Sequence, residues 1–320
     1  GRLAIIFLSA LLGYFVFRWA RDLWGTPTGL LALFLYVLDP NILAHSQLVT
    51  TDLAVACLIF LTTYFLWRFL RWRRNVDLAL AGVLLGLAQA TKLSALLLLP
   101  IFAAIALIEA FFIHDFTLHG RWPWRARFSR GQRTQVVYFC CAVGLILIGL
   151  AFLALWASYR FETAPVLPQR SVHMTLDRLI SHPWLRRVVY GAVESIEIPF
   201  PTYFRGLRWL KAYSEVGAPA FLMGRHSQKG WWYYFLVAFA IKTPIPTLIL
   251  LAAATYLIVR NHSYAQKREY VLYVPVVVFF LATFFSFLNI GYRHILPVLP
   301  FAIVIASKVA AWAQKRWGRA

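Results

Sequence analysis

Residues 136–156 form an uncharged apolar run in the middle of the chain, with the sequence VVYFCCAVGLILIGLAFLALW. A helix needs about 20 such residues to cross the hydrocarbon core of a bilayer, because each helical residue advances the chain by about 1.5 Å. The run therefore predicts a transmembrane helix.

Eight further apolar runs surround this one. They are Leu3–Trp19, Pro27–Leu38, Leu53–Trp67, Leu78–Ala90, Leu93–Ile113, Trp231–Val259, Tyr270–Leu288 and Ile295–Trp312. Several are shorter than a full span, which indicates helices that tilt, extend into polar flanks or end at a cavity. With 61% hydrophobic and 14% charged residues, the chain departs from the roughly 45–50% apolar and 25% charged composition of soluble domains. We predict an all-α integral membrane protein with about nine transmembrane helices and a small helical cap on its outer face.

The chain is strongly basic, with 32 Lys and Arg against 12 Asp and Glu and a formal charge of +20. Such a balance often indicates nucleic-acid binding, but these cations do not form one continuous face. High net charge together with high apolarity suits a protein whose charges lie outside the hydrocarbon. We therefore expect membrane lipid, and no nucleic acid, among the partners. Cys57, Cys140 and Cys141 lie inside apolar runs and are expected to be helix residues without a disulfide.

The loops alternate in charge along the chain. Seventeen cations fall in alternate loops and the C-terminal tail: Arg18, Arg21, Arg68, Arg71, Arg73, Arg74, Arg121, Arg125, Arg127, Arg130, Arg133, Arg260, Lys267, Arg268, Lys315, Arg316 and Arg319. The opposite short loops hold residues 39–52, Lys92 and residues 289–294. Because cytoplasmic loops are enriched in Lys and Arg, we place the first set and the C-terminus in the cytoplasm.

This topology predicts three regions. Residues 1–159 supply the N-terminal transmembrane helices with an outer loop at 39–52, residues 160–230 form an outer cap, and residues 231–320 supply the C-terminal helices. Within the cap, Leu176–Tyr190 and Tyr203–Tyr213 have helical character. Nine crossings place Gly1 outside, and only Arg2 separates it from the first apolar run. We expect that an upstream helix is missing and that the chain is a fragment.

The outer loop LDPNILAHSQLVTTD, residues 38–52, is the first of four polar segments on this side. Its Asp39-Pro40 pair predicts a helix stop, and Thr50-Thr51-Asp52 resembles the N-terminal cap of the next helix. A capping role alone would explain Asp52. A cap needs a single polar residue, however, and the loop also supplies His45 among others.

The other three segments contain cations where apolar residues are expected. Lys92 interrupts QATKLSALLLLP, where it either extends to the headgroups or holds a phosphate. Arg293 and His294 lie in NIGYRHILPVLP, residues 289–300, either as solvated residues or as phosphate ligands, a role that suits the planar guanidinium. Lys242 in AIKTPIP precedes two prolines, at a helix break that we expect to face a cavity. The aromatic residues 231–234 are typical of a membrane-surface belt.

These segments, in this order, resemble the lipid-carrier-dependent glycosyltransferases of the GT-C fold. The likeness is to the protein O-mannosyltransferase and aminoarabinose transferase family, in its bacterial phospholipid carrier-dependent branch. It rests on AHSQLVTTDLA, AGVLLGLAQATKLSALLLLP, PAFLMGRHSQKGWWYYFLVAFAIKTP and NIGYRHILPVLP. It implies a GT-C-like bundle in the bacterial inner membrane, with the active site on the periplasmic side.

The resemblance also implies a reaction. A sugar on a polyprenyl phosphate is transferred with inversion to an acceptor, which is a protein hydroxyl, a lipid or a glycan. The implied donor-phosphate ligands are Lys92, Arg293, His294 and Lys242, because fixed cations stabilise the charge on the departing phosphate. The implied catalytic residues are Asp52, as a supporting carboxylate, and His45. The principal carboxylate of relatives lies in an earlier loop that this sequence does not contain, so we expect the chain alone to be inactive.

Two alternatives stay open. A transporter or flippase for a lipid-linked or anionic substrate would also need cations and broken helices, but it should show mid-membrane charges and an internal repeat. A structural subunit would tolerate substitution of Lys92, Asp52 and Arg293. The sequence has no Gly-rich phosphate loop, no DxD pair and no His/Cys ligand spacing. We expect no cofactor; a divalent metal is compatible with the sequence but not indicated by it.

Overall fold

The computed structural model describes residues 1–111, 116–118, 126–128, 133–165, 182, 184–185, 197–261, 268–286 and 288–317. Twelve α-helices dominate this part of the chain: α1 (Arg2–Trp24), α2 (Thr26–Val37), α3 (Pro40–Gln47), α4 (Thr51–Trp72), α5 (Asn75–Thr91), α6 (Leu98–Phe111), α7 (Arg133–Ser158), α8 (Pro201–Val216), α9 (Tyr234–Lys242), α10 (Ile245–Asn261), α11 (Tyr270–Phe284) and α12 (Val298–Trp317). Two short 3₁₀ helices, Leu93–Leu97 and Tyr292–His294, lie between α5 and α6 and between α11 and α12.

Within the described ranges, five helical segments are long and apolar enough to cross a membrane. They are Arg2–Trp24, Thr51–Trp72, Leu93–Phe111, Thr134–Ser158 and Val298–Lys315. Two bent pairs raise the total to seven if each is one span: α2 with α3, bent by 61°, and α9 with α10, bent by 114°. Helices α5 and α11 are shorter and apolar. The all-α multi-pass membrane fold is confirmed, whereas the count of nine crossings stays a prediction.

Helix α4 is the buried centre of the bundle and packs against α1 and α5. Its Phe60, Tyr64 and Trp67 surround Trp19 of α1, with ring centroids 5.1, 5.5 and 5.7 Å from the Trp19 ring. All four side chains are fully buried. This burial on several sides explains why the apolar residues of α4 are not confined to one stripe.

Helices α5 and α7 approach each other unusually closely at two glycines. A Cβ added to Gly86 would lie 2.3 Å from the carbonyl oxygen of Ala151, and one added to Gly82 would lie 2.7 Å from Cβ of Leu150. Small residues four positions apart let two helix backbones come together, and packing of this kind holds helices together in lipid. The pair therefore fixes α5, the helix that leads to Lys92, against α7.

Two of the helix breaks lie at the predicted outer end of the bundle. Asp39 is the N-cap of α3, and its carboxylate accepts hydrogen bonds from the backbone N–H groups of Asn41 (2.8 Å) and Ile42 (3.1 Å). This confirms the predicted helix stop at Asp39-Pro40. The second break is at the end of α9, which stops at Lys242, two residues before Pro244. A proline disfavours helical backbone in the residue before it, so the helix ends there.

The third break separates α5 from α6. Helix α5 ends at Thr91, and Lys92 has an extended backbone with φ −160° and ψ 136° before the 3₁₀ turn begins. The predicted interruption at this position is confirmed. The change of backbone direction lets the Lys92 side chain leave the α5 axis and reach α4.

At the opposite end of the bundle, the described residues form four ion pairs. They are Arg18–Asp22 (3.3 Å), Arg68–Asp77 (3.2 Å), Arg268–Glu109 (2.5 Å) and Lys308–Glu269. Trp24 at the end of α1 also donates to Glu269 at 2.8 Å. Loops assigned to the cytoplasm by the charge pattern therefore meet at one end of the bundle. Which side of the membrane that end occupies stays a prediction.

The described part of the predicted cap mixes a helix with short strands. Helix α8 confirms the predicted helical stretch Tyr203–Tyr213. Antiparallel pairs join β3 (Thr163–Pro165) to β4 (Glu197–Pro199) and β5 (Ala220–Leu222) to β6 (Arg225–Ser227). A third pair among the described residues, β1 (Phe116–Leu118) with β2 (Ala126–Phe128), precedes α7. Strands of three residues are too short to show alternation in a sequence, and most of Leu176–Tyr190 lies outside the described residues.

Candidate functional site

Six residues singled out in the sequence come together at one end of the bundle. The electrostatic environment of His45 includes Asp52, Lys92, Lys242 and Arg293, and that of His294 includes Lys92, Arg293 and Asp52. They come from the α3 helix, the start of α4, the break after α5, the end of α9 and the 3₁₀ turn before α12. The helices thus bring together residues up to about 250 positions apart, as expected for a bundle whose loops meet at a common surface.

The centre of this cluster is an ion pair between α4 and the α5 break. Lys92 Nζ donates to Asp52 Oδ1 at 2.5 Å. The Asp52 side chain is buried, whereas that of Lys92 is partly exposed. Thr50 precedes the helix but its side chain makes no capping hydrogen bond. Asp52 therefore holds a lysine across the site besides lying in the first turn of α4.

Helix α3 positions His45 beside this pair. The ring nitrogen Nδ1 of His45 is buried and has no hydrogen-bond partner among the described residues. The same helix contacts the α9 break, because the Asn41 side-chain amide donates to the Lys242 carbonyl oxygen at 2.9 Å. Lys242 itself is exposed at the end of α9. Helix α3, which was predicted as part of an outer loop, therefore connects the Lys92–Asp52 pair to the break after α9.

Arg293 and His294 are held by the 3₁₀ turn Tyr292–His294. The buried Tyr292 hydroxyl lies 3.1 Å from the Thr243 hydroxyl, next to Lys242. Gly291 precedes the turn with φ 122°, a conformation that favours glycine. Arg293 is exposed, whereas His294 is partly buried and its Nε2 has no described hydrogen-bond partner.

Burial, together with the smaller effects of the nearby charges of Lys92 and Arg293, lowers the pKa of His294 to about 4, against a smaller opposing effect of Asp52. The imidazole is therefore neutral near pH 7. His294 can offer a hydrogen bond to a phosphate oxygen, but it does not add a positive charge to the site.

Cations outnumber acidic residues at both ends of the bundle, but the two ends differ in which charged groups are paired. At the end opposite the site, Asp22, Asp77, Glu109 and Glu269 each pair with a cation. At the site, Lys92, Lys242 and Arg293 surround one ion-paired carboxylate, Asp52, and neither Lys242 nor Arg293 forms an ion pair within the described ranges. The site is therefore a positively charged surface at the ends of apolar helices, which suits an anionic ligand.

Among the residues that the structure describes, no group of three or more His, Cys, Asp or Glu side chains is arranged to hold a metal ion. Asp39 is fully buried and serves as the α3 cap.

Two polar residues near the site were not identified from the sequence. Tyr203 of α8 donates to Gln89 of α5 at 2.9 Å, and Gln89 in turn donates to the Ala95 carbonyl oxygen at 2.9 Å. A glutamine three residues before Lys92 in an otherwise apolar helix was a detectable signal. Its tyrosine partner was not, because 114 residues separate the two.

The fold and the site together define a multi-pass helical membrane protein with a cationic polar cluster at one end of its bundle. Residues 1–127 match the family model of dolichyl-phosphate-mannose-protein mannosyltransferase. This match confirms the resemblance to the GT-C glycosyltransferases and supports a membrane glycosyltransferase that depends on a lipid carrier. Neither a curated protein nor a solved structure was found to match the chain.

The family match covers the first 127 of 320 residues. It includes His45, Asp52 and Lys92, whereas Lys242, Arg293 and His294 lie beyond it. The two groups of residues meet only in the folded bundle. The roles of all six in binding and catalysis stay predictions.

Proposed function

We propose that the protein transfers a sugar from a polyprenyl-phosphate carrier to an acceptor on the outer face of the membrane, with inversion at the anomeric carbon. The observation that carries this proposal is the surplus of positive charge at the site, where Lys92, Lys242 and Arg293 accompany one ion-paired carboxylate, Asp52, among the residues that the structure describes. A phosphate diester headgroup with an apolar tail matches both the cations and the lipid-facing helices around them.

Each cation has a distinct part in this proposal. Arg293 is exposed in its 3₁₀ turn and presents a planar fork that can bind two phosphate oxygens. Lys92 and Lys242 act as point charges from the opposite helix breaks. Neutral His294 donates a hydrogen bond. As the sugar leaves, negative charge grows on the phosphate, so these groups stabilise the transition state more than the bound donor.

The bonds change in one displacement. The acceptor oxygen forms a bond to the anomeric carbon on the face opposite the phosphate. The bond from that carbon to the phosphate oxygen breaks, and its electron pair passes to the polyprenyl phosphate. The acceptor proton leaves to a base. Asp52 and His45 lie beside Lys92 and serve to orient the acceptor hydroxyl.

The test is release of polyprenyl phosphate from a panel of polyprenyl-phosphate hexoses and pentoses, with the full-length protein in nanodiscs. Lys92→Ala and Arg293→Ala are each expected to reduce release at least about tenfold, because a charge-assisted hydrogen bond contributes roughly 1.5–3 kcal/mol. Arg205→Ala, an exposed arginine on α8 outside the cluster, is the matched control and should retain full release. Full release by folded Lys92→Ala and Arg293→Ala proteins would exclude the phosphate site.

A lipid flippase is the second candidate, favoured by the bent pairs α2–α3 and α9–α10, since broken helices are typical of transporters. The same purified protein, reconstituted into liposomes instead of nanodiscs, distinguishes a glycosyltransferase from a flippase. A glycosyltransferase leaves the transbilayer distribution of a labelled polyprenyl-phosphate sugar unchanged. A flippase equilibrates it between the leaflets without releasing polyprenyl phosphate.

A further inference from the structure

The cap helix α8 is connected to the ion pair at the site through buried hydrogen bonds. The Tyr203 hydroxyl donates to Gln89 Oε1 at 2.9 Å, and Gln89 Nε2 donates to the Ala95 carbonyl oxygen at 2.9 Å. The Ala95 N–H donates to the Lys92 carbonyl oxygen at 3.0 Å. A continuous path of three hydrogen bonds therefore runs from the cap to the backbone of Lys92.

The chemistry of these groups determines which of them donates and which accepts in each hydrogen bond of the path. The Ala95 carbonyl oxygen can only accept, so the Gln89 side chain must turn its NH₂ group toward Ala95 and its oxygen toward Tyr203. Burial raises the pKa of Tyr203 to about 12, with a smaller contribution from nearby Tyr159. The Tyr203 hydroxyl therefore keeps its proton and remains a donor across the physiological range.

The path is enclosed by apolar packing. Tyr203 and Gln89 are 6% and 8% exposed, and Ala95 is fully buried. Leu93, the residue after Lys92, packs on the small cluster of Leu155, Phe200 and Tyr203. An unsatisfied polar group in such surroundings is costly, so the bonds resist rearrangement.

We propose that Tyr203 and Gln89 are positioning residues that hold the α5 break in the backbone conformation from which Lys92 reaches Asp52. This inference deepens the proposed function and rests on it for the meaning of the Lys92 site. It also means that the outer cap and the donor-phosphate ligand are mechanically linked. Ligand contacts that shift α8 would move Lys92.

The first experiment measures the position of Lys92 without any substrate. A membrane-permeable carbodiimide activates the Asp52 carboxylate, and the Lys92 amine then forms an amide bond with loss of a urea by-product. The cross-linked peptide is quantified by mass spectrometry. We expect Tyr203→Phe and Gln89→Leu to lower the yield about threefold or more, because each removes at least one bond of the path.

The matched control is Tyr213→Phe, which removes the same hydroxyl from the same helix. Tyr213 is exposed and stacks on Trp209 with its ring centroid 5.2 Å away, outside the path. Its cross-linking yield should equal that of the unmodified protein. Equal yields for the Tyr203, Gln89 and Tyr213 variants would overturn the positioning role. Two variants of the path are used so that the test still applies if one of them folds poorly.

The second experiment measures binding of polyprenyl phosphate by the full chain in nanodiscs, with the uncharged polyprenol as the control ligand. Tyr203→Phe should weaken phosphate binding about three- to tenfold when Lys92 is present, and should have no further effect in Lys92→Met protein. Equal losses in both backgrounds would mean that Tyr203 acts independently of Lys92, contrary to the proposal.

The results of the two experiments distinguish the positioning role from the proposed phosphate site. If cross-linking falls in Tyr203→Phe protein but Lys92→Met binds polyprenyl phosphate normally, the positioning role stands and the proposed phosphate site is wrong. If Lys92→Met abolishes binding while cross-linking is unaffected by Tyr203→Phe, the phosphate site stands and the positioning role is wrong.

Discussion

Lys92 Nζ lies 2.5 Å from Asp52 Oδ1, across 40 residues of sequence. The contact joins the first turn of α4 to the break after α5, at the end of the bundle where the other candidate residues gather. Because the carboxylate is buried and the lysine partly exposed, Asp52 neutralises and orients a cation that a ligand can still approach. Lys92 therefore attracts an anionic ligand, whereas Asp52 repels it.

Asp52→Asn should separate donor binding from transfer. The substitution leaves Lys92 uncompensated, so polyprenyl phosphate should bind as tightly as before or about two- to fivefold more tightly. Sugar transfer should fall at least about tenfold, because the amide cannot accept strongly from an acceptor hydroxyl. Binding and release assays on one preparation of the full-length protein measure both effects. Parallel losses of binding and transfer would indicate that Asp52 only maintains the fold.

Gly86→Ala should destabilise the bundle. The added Cβ would lie 2.3 Å from the Ala151 carbonyl oxygen, so α5 and α7 must move apart, at a cost of about 1–3 kcal/mol. Gly149→Ala is the matched control, because a Cβ there meets nothing within 4 Å. Thermal unfolding in detergent should show a lower midpoint for Gly86→Ala only. Equal midpoints would show that the two helices are not held at this distance.

His294 should make stability depend on pH. Its pKa is lowered from 6.5 to about 4 by burial and by nearby Lys92 and Arg293, so the unfolded chain binds this proton more readily. The free energy of unfolding should therefore be fully retained above about pH 6.5 and should decrease as the pH falls toward 4.

The measurement is the thermal unfolding midpoint between pH 4.5 and 7.5, a range chosen to span most of that window. His294→Gln should flatten the curve, whereas His226→Gln, at an exposed histidine of β6, should leave its slope unchanged. The same slope in His294→Gln and the unmodified protein would contradict the assignment.

Cysteine labelling should establish which end of the bundle faces outward. In a protein lacking its own cysteines, Ser46→Cys on α3 should react with an impermeant maleimide added to intact cells, since the positive-inside rule places this end outside. Arg74→Cys, exposed between α4 and α5, should react only after permeabilisation. The reverse pattern would invert the orientation and move the candidate site to the cytoplasm.

Much of the fold follows from sequence because it depends on local properties. Apolar runs such as Val136–Trp156 become helices in lipid, where every backbone polar group must be satisfied within its own segment. The breaks at Asp39-Pro40, at Lys92 and after Lys242 were predictable for a similar reason. Proline, or a charged residue in an apolar run, changes the local free energy wherever it occurs.

Tertiary structure alone decided which of these local features meet. The pairing of Lys92 with Asp52, the path from Tyr203 to Gln89 and the neutral state of His294 all depend on distances between separate helices. The close approach of α7 to α5 at Gly86 fixes one of those distances, and the sequence of α5 alone does not predict it. The sequence by itself determined a multi-pass helical membrane protein with polar breaks at one end. Only the packing of its helices determined that those breaks form a single site, because burial and electrostatic coupling exist between segments and not within them.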